Sequence, residues 1–288
     1  KRKKPSLTVI ILRSHILPVN ISSTGGNALN AHGLQFKSKP PQFQGIVPTV
    51  LKKGMQCNSF RKRSNNTPAL GIDRARKDGG LRPILNLKKF NHHLKRLPFR
   101  MLCLSTLLTF IRQGDWFTTV DLQDAYFHIP IHKDHKKYLR FYFQGNAYEY
   151  NVLPFGLSLA PRTFTKCMDA ALIPLRRQGL RIANYLDNWV ICSPTEQQAR
   201  SNTKVVLAHL QKLGLTLNSK KSCLTPTRVV TYLGLTLNSS IMRASLTPQR
   251  QSVLKECLSE FLKKEQVTVM LGRRLLGLMA AASQVVPL

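Results

Sequence analysis

The sequence predicts an α+β fold, an antiparallel sheet with helices on one face, and three observations lead there. Tyr138–Phe143 and Ala147–Val152 are aromatic and β-branched runs flanking Gln144-Gly145-Asn146, a strong hairpin signal. Arg181–Tyr185 and Trp189–Cys192 form a second pair of short strands with the polar pair Asp187-Asn188 between them. After Pro161, the residues Phe164, Cys167, Met168, Ala171, Leu172 and Leu175 recur at helical spacing, and Gly179 is a good stop. Paired strands alternating with helices of this length give an antiparallel sheet packed on helices.

Taken in order, the elements begin late. Residues 1–76 contain Thr24-Gly-Gly26, Pro40-Pro41 and Asn65-Asn66-Thr-Pro68 and hold neither period for long, so they read as a loop or a poorly ordered segment. Local signals become coherent from Leu81. Asp115–Phe127 contains a strand ending in the carboxylate Asp121. Ser193-Pro194-Thr195-Glu196 combines a capping box with proline at the first helical position, opening a helix that ends near Gly214. Strands are expected at Leu215–Leu217 and Tyr232–Leu237. A helix follows Thr247-Pro248, with Val253, Leu254, Cys257, Leu258 and Phe261 on one face. The chain thus divides into a basic segment 1–76, a main domain 77–240 and a helical segment 241–288.

At 288 residues and 43% apolar content the chain can bury a substantial core in two or three subdomains. Six cysteines occur with no C-x-x-C pair, which reads as reduced thiols of an intracellular protein, cytoplasmic or nuclear, rather than zinc ligands or disulfides. Leu7–Leu12, behind Lys1-Arg-Lys-Lys4, is too short to span a bilayer, so no membrane role is expected. Lys and Arg number 44 against 13 Asp and Glu, a net charge of +31. That excess suits a polyanion, and nucleic acid is the natural partner. Fifteen of the basic residues lie in residues 1–77, opposed only by Asp73, so that segment lacks the means to fold alone.

The chemistry concentrates at two strand ends. Asp-Asn at a hairpin tip is ordinary turn chemistry when it stands alone. Asp121 upstream changes its meaning, because carboxylates from separate strands can converge on two divalent ions roughly 4 Å apart. Such a pair of ions activates a hydroxyl and stabilises a leaving pyrophosphate.

Six segments then follow in a particular order: Lys77-Asp-Gly-Gly-Leu-Arg82-Pro-Ile-Leu-Asn86, the Asp121 strand, Asn151–Pro161, Tyr185–Asn188, Gly214–Lys221 and Tyr232–Leu235. Over about Lys77–Leu288 the set resembles the reverse transcriptases, and its wording is most similar to those of DIRS-type retrotransposons, which also encode a tyrosine recombinase. The resemblance implies a right-hand polymerase with an antiparallel palm sheet packed on helices. Fingers would come from about Leu81–Leu108 with the 138–152 hairpin, and a partial thumb from residues after about 240. It further implies an RNA-directed DNA polymerase that extends a primer on an RNA or DNA template with dNTPs. Two Mg²⁺ ions, or Mn²⁺, would serve as cofactors. RNase H and recombinase portions of the parent element would be partners.

By that resemblance Asp121 and Asp187 are metal ligands, with Leu122 lending its backbone carbonyl. Tyr126 matches the steric gate under the incoming sugar. Lys77 and Arg82 match the residues that grip the triphosphate. Phe155 and Gly156 match the loop beside the template base and nucleotide, where glycine permits close backbone approach; Phe155 stands where some retroviral relatives have glutamine. Lys220 or Lys221 matches a general acid for pyrophosphate, and Lys220 is taken here. Tyr232, Leu233 and Gly234 resemble the hairpin that holds the primer end, with a plain buried strand as the alternative. Two departures stand out. Asn188 occupies a catalytic position where the family has a carboxylate, which points either to impaired activity or to an inactive remnant that binds nucleic acid electrostatically. Gly54–Arg76 does not follow the family pattern and reads as a decayed or frame-shifted stretch.

Overall fold

The computed structural model describes residues 55–57, 70–75, 81–95, 97–143, 146–283 and 285, with only the backbone course for the strands before Asn86 and for residues 142–147. It comprises two compact units that interleave along the chain. One is built from the described residues up to Phe99 together with Asp124–Phe164, the other from Arg100–Gln123 with Thr165–Leu288.

In the first unit, strands β1 (Met55–Cys57), β5 (Arg140–Phe143) and β6 (Asn146–Tyr150) form an antiparallel sheet in the order β1-β6-β5. The predicted hairpin is present, but Tyr138 and Leu139 belong to a 3₁₀ turn over Lys133–Leu139, so its first strand begins at Arg140. Phe141 stacks on Tyr148 and meets Tyr150 at a tilt, at 5.4 and 5.3 Å between centroids, which forms this sheet's aromatic core. Strand β2 (Leu70–Ala75) pairs antiparallel with β3 (Leu81–Leu85). Both β1 and β2 lie where the sequence suggested a loop. Pairing to distant residues, Met55 opposite Tyr150 for instance, supplies what local periodicity lacked. A short helix α1 (Lys88–His92) follows β3.

The second unit is organised by a four-stranded antiparallel sheet in the order β7-β8-β4-β9: β4 is Trp116–Asp121, β7 Arg181–Tyr185, β8 Asn188–Ser193 and β9 Cys223–Thr227. Side chains alternate across it. Thr118, Trp189, Ile191 and Ser193 lie on the face covered by α4 (Glu196–Lys212), where Thr118 Oγ1 meets Thr203 Oγ1 at 2.7 Å and Asn202 Nδ2 donates to Ser193 Oγ. Phe117, Ala183, Val190 and Cys192 lie on the opposite face. That face is packed against a second sheet, β10 (Val229–Tyr232), β11 (Leu235–Asn238) and β12 (Arg243–Leu246), and against Leu107 of α2 (Leu104–Phe110). Helix α4 covers one face as expected, but the other face is not left open: the second sheet and helix α2 bury it as well.

The long helix α3 (Ala160–Arg177) buries Phe164, Met168, Ala171, Leu172 and Leu175 as its spacing predicts, despite Pro174 within it. Helix α4 departs from the expectation at its start: Thr195, not Ser193, is the cap, its Oγ1 accepting from the Gln198 N–H at 3.2 Å. Ser193 is held in β8, so the capping box is Thr195…Gln198 and Pro194 lies outside the helix. The strand expected at Leu215–Leu217 reduces to one bridge between Leu122 and Leu217. The one expected at Tyr232–Leu237 is broken by a turn at Leu233–Gly234. Strand β9 contains Pro226, which is tolerated because β9 is an edge. Helices α5 (Pro248–Lys263) and α6 (Val269–Ala282) pack through Cys257, Leu271 and Leu275; Leu258 faces solvent rather than sharing that contact. Cys103, Cys167, Cys192, Cys223 and Cys257 are free thiols. No helix among the described residues is long and apolar enough to cross a membrane.

Candidate active site

The two carboxylates meet because of strand register. Asp121 ends β4 directly opposite Asn188, the first residue of β8, and Asn188 is also opposite Tyr185 at the end of β7. Counting by two, Asp121, Asn188 and Tyr185 lie on the same face as Phe117 and Val190, away from α4. Leu186 and Asp187 form the tip. The left-handed φ that such a tip demands falls on Leu186 (φ 51°), not on the Asp or Asn whose tolerance the sequence suggested. Trp189 Nε1 donates to the Leu186 carbonyl oxygen and holds the strained residue from below. Asp187 is exposed; Asp121 and Asn188 are half-buried.

Beyond β4 the chain docks onto this tip. The Leu122 N–H donates to the Asp187 carbonyl oxygen at 2.8 Å. On its other side, the bridge to Leu217 is bounded by bonds from Asn218 N to Asp121 O and from Gln123 N to Thr216 O. That pattern turns the peptide groups of Leu122 away from Leu217 and toward Asp187, so the Leu122 carbonyl is free of protein hydrogen bonds among the described residues. The Asn218–Ser222 turn braces Asp121: Ser222 Oγ accepts from the Asp121 N–H at 3.0 Å and donates to the Asn218 carbonyl oxygen at 2.8 Å. Burial, and after it the charge of Asp187, raises the Asp121 carboxyl above its ordinary value, against Lys221 and a hydrogen bond from Asn218. The Lys221 ammonium is the positive charge that opposes this rise. Asn218 and Ser222 stand in the sequence as ordinary turn residues, and only the folded turn brings them to Asp121.

The donors gathered here are carboxylate and carbonyl oxygens, the set that hard divalent cations prefer. Among the described residues no three His, Cys, Asp or Glu side chains converge on one point; at this turn the number stops at two because residue 188 is asparagine. Its amide supplies an oxygen donor without charge. The donor types fit a divalent ion, with one formal charge fewer than three carboxylates would give.

Tyr232 ties a second turn to this one. Its ring is buried and its hydroxyl donates to the Asn188 carbonyl oxygen at 2.9 Å. Leu233 (φ 51°) and Gly234 (φ 78°) then turn β10 into β11. The plain-strand alternative for Tyr232–Gly234 is thereby replaced by a hairpin.

The remaining predicted residues belong to the other unit. Tyr126 sits half-buried in a 3₁₀ turn, Ala125–His128, packed against Phe155 and Phe164 at 5.1 and 5.6 Å between centroids. Gly156 has φ 97°, which requires glycine, and its carbonyl accepts from Asn91 Nδ2 at 2.8 Å, while Asn91 Oδ1 accepts from the Ser158 N–H at 2.9 Å. Asn91 therefore clamps the Phe155–Gly156 loop, a role nothing in the sequence signalled. Arg82 lies in β3 opposite Arg74. Lys77 lies outside the described residues.

A family model for "Reverse transcriptase (RNA-dependent DNA polymerase)" matches residues 74–237, more than half of the chain. The chain belongs to the reverse transcriptase family. The Gag-Pol polyprotein of Walleye dermal sarcoma virus is 30% identical over 87% of the chain, and a Tf2-7 transposon polyprotein of Schizosaccharomyces pombe is 27% identical over 63%. This reverse transcriptase domain spans only 14% of the length of either. A foamy viral protease-reverse transcriptase solved with dsDNA superimposes with a TM-score of 0.72 at 21% identity, over 92% of this chain and 52% of that one, and so shares the fold.

Proposed function

We propose that the chain is the polymerase portion of a retrotransposon polyprotein that extends a primer 3′-hydroxyl with dNTPs on an RNA or DNA template. The observation that carries this reading is the Asp121–Asn188 register with Asp187 docked on Leu122. It gathers two carboxylates and a free carbonyl at one sheet end. Asp121, Asp187 and Leu122 would hold two Mg²⁺ ions, or Mn²⁺; when bound, such ions supply positive charge to the attacking oxygen and the leaving pyrophosphate. Lys220 would protonate the leaving pyrophosphate, with Lys221, whose charge opposes the rise of the Asp121 carboxyl, as the alternative. Tyr126 would close the pocket beneath the sugar, Arg82 and Lys77 would grip the triphosphate, Phe155–Gly156 would lie beside the template base, and Tyr232–Gly234 would hold the primer end.

The wording of the motifs supports a DIRS-type parent, with RNase H and recombinase portions elsewhere in it, acting in the cytoplasm or nucleus. On this reading residues 1–76 are a basic arm, 77–240 fingers and palm, and 241–288 the start of a thumb. Asn188 favours a second reading, a catalytically silent remnant that retains template–primer binding by charge.

Asn188→Asp tests both. In primer extension with Mg²⁺ or Mn²⁺ the restored carboxylate should raise the rate at least about tenfold, roughly 1.4 kcal/mol of transition-state stabilisation. Equal rates would reject the metal reading of the turn. Without divalent ions the same change sets a carboxylate directly opposite Asp121 and should cost about 0.5 kcal/mol of stability, recovered on adding Mg²⁺. Tyr126→Ala in the Asn188→Asp background should raise ribonucleotide relative to deoxyribonucleotide incorporation; an unchanged ratio would leave Tyr126 a packing residue.

A further inference from the structure

We infer that Arg250 contacts a phosphate of the primer strand from a seat over the Leu233–Gly234 turn, where its guanidinium lies on the side of Gly234 that carries no side chain. This rests on the reverse transcriptase reading above and adds a residue to it. Gly234 has a φ of 78°, and a methyl group built there would meet Nε, Cζ and Nη2 of Arg250, the movable end of a long side chain. The guanidinium thus lies directly against the backbone of the turn. Its approach is set by the start of α5, where Thr247 N donates to the Gly234 carbonyl oxygen at 3.4 Å and Gln251 Nε2 donates to the Leu246 carbonyl oxygen at 2.9 Å.

Arg250 is exposed, and among the described residues neither a carboxylate nor a carbonyl accepts from its guanidinium. The first turn of α5 holds no acidic residue that could pair with it. By contrast Arg200, Arg176 and Arg181 each meet a carboxylate nearby. A planar fork of donors held against a turn and left without an anion is suited to an anion from outside, and phosphate matches its bidentate geometry. Tyr232 bonds the same hairpin to the Asn188 carbonyl, so a phosphate gripped at Gly234 has a defined position relative to the Asp121–Asp187 carboxylates. A strand whose 3′ end must reach those carboxylates is therefore the occupant that the seat fits.

The test uses the full chain and a fluorescent template–primer duplex, with binding followed by anisotropy from about 50 to about 300 mM salt. Arg250→Ala should weaken binding about three- to tenfold near 0.1 M salt and lower the slope of log K against log salt by about 0.9, one phosphate contact. Arg250→Lys should keep the slope while losing part of the affinity. Single methylphosphonates, which remove one phosphate charge each, are then placed along either strand. In the unaltered chain one primer position near the 3′ end should be sensitive, and in Arg250→Ala that sensitivity should vanish. An identical slope and an identical methylphosphonate profile in Arg250→Ala would overturn the inference, and sensitivity lost at a template position instead would overturn its assignment to the primer. Failure of the unaltered chain to bind duplex at all would overturn it together with the functional reading beneath it.

Discussion

The Leu186–Asp187 turn and the Leu233–Gly234 turn put a leucine at the same unusual φ of 51° and then diverge at the next residue. In the first, an aspartate with an exposed side chain follows and its backbone carbonyl accepts from the Leu122 N–H; in the second, glycine follows and leaves room for Arg250. Each leucine in this conformation costs roughly 1–2 kcal/mol, so both hairpins accept similar strain. One uses it to project a negative charge, the other to leave its backbone open beside a positive one. The hairpins also share supports. Tyr232 bonds to the Asn188 carbonyl, and the buried Asp115 accepts from Arg181 at the base of the first, while its backbone carbonyl accepts from Ser239 Oγ, just past the second, at 2.5 Å. The open ends of both hairpins thus share one buried base at Asp115.

The largest expected effect breaks that base. Asp115→Ala leaves Arg181 without its two-toothed partner and exposes the Arg112 N–H as an unpaired donor, so urea denaturation should register a loss of about 3 kcal/mol or more. A loss below about 1 kcal/mol would mean the two hairpins do not depend on this shared support. Tyr232→Phe removes the hydroxyl that donates to the Asn188 carbonyl and should cost about 1 kcal/mol. In an active Asn188→Asp background it should lower kcat more than it raises the KM for dNTP, since the turns lose their mutual register; a purely KM effect would uncouple them. The smallest effects separate the tips. Leu186→Gly and Leu233→Gly should each raise stability by about 0.5 kcal/mol through relief of the left-handed φ, offset by backbone entropy. If Leu186→Gly alone were destabilising, its side-chain packing rather than its backbone would account for the choice of leucine.

Much of the site could be read before any coordinates. Two strand pairs, the helix after Pro161 and the ends of β4 and β7 followed from side-chain period and turn residues, because those signals are local. Asp121 and Asp187 were identifiable by type and order, and the departure at Asn188 is a fact of sequence. Where structure departs from local signal, one cause recurs. The local string allows Ser193 as a cap, yet β8 retains that residue for pairing with Trp116, and Thr195 caps instead. β1 and β2 have no local period because their partners lie across the chain or across a turn.

By itself the sequence determined the fold class, the reverse transcriptase membership, the excess of positive charge and the loss of one carboxylate. Only tertiary structure decided that Asn188 stands opposite Asp121, that Ser222 braces the Asp121 backbone, that Asn91 clamps the Gly156 loop, and that Arg250 lies on Gly234. Periodicity reports which face a residue takes on its own element; register between strands, and the meeting of a helix start with a remote turn, depend on contacts between residues far apart in the chain.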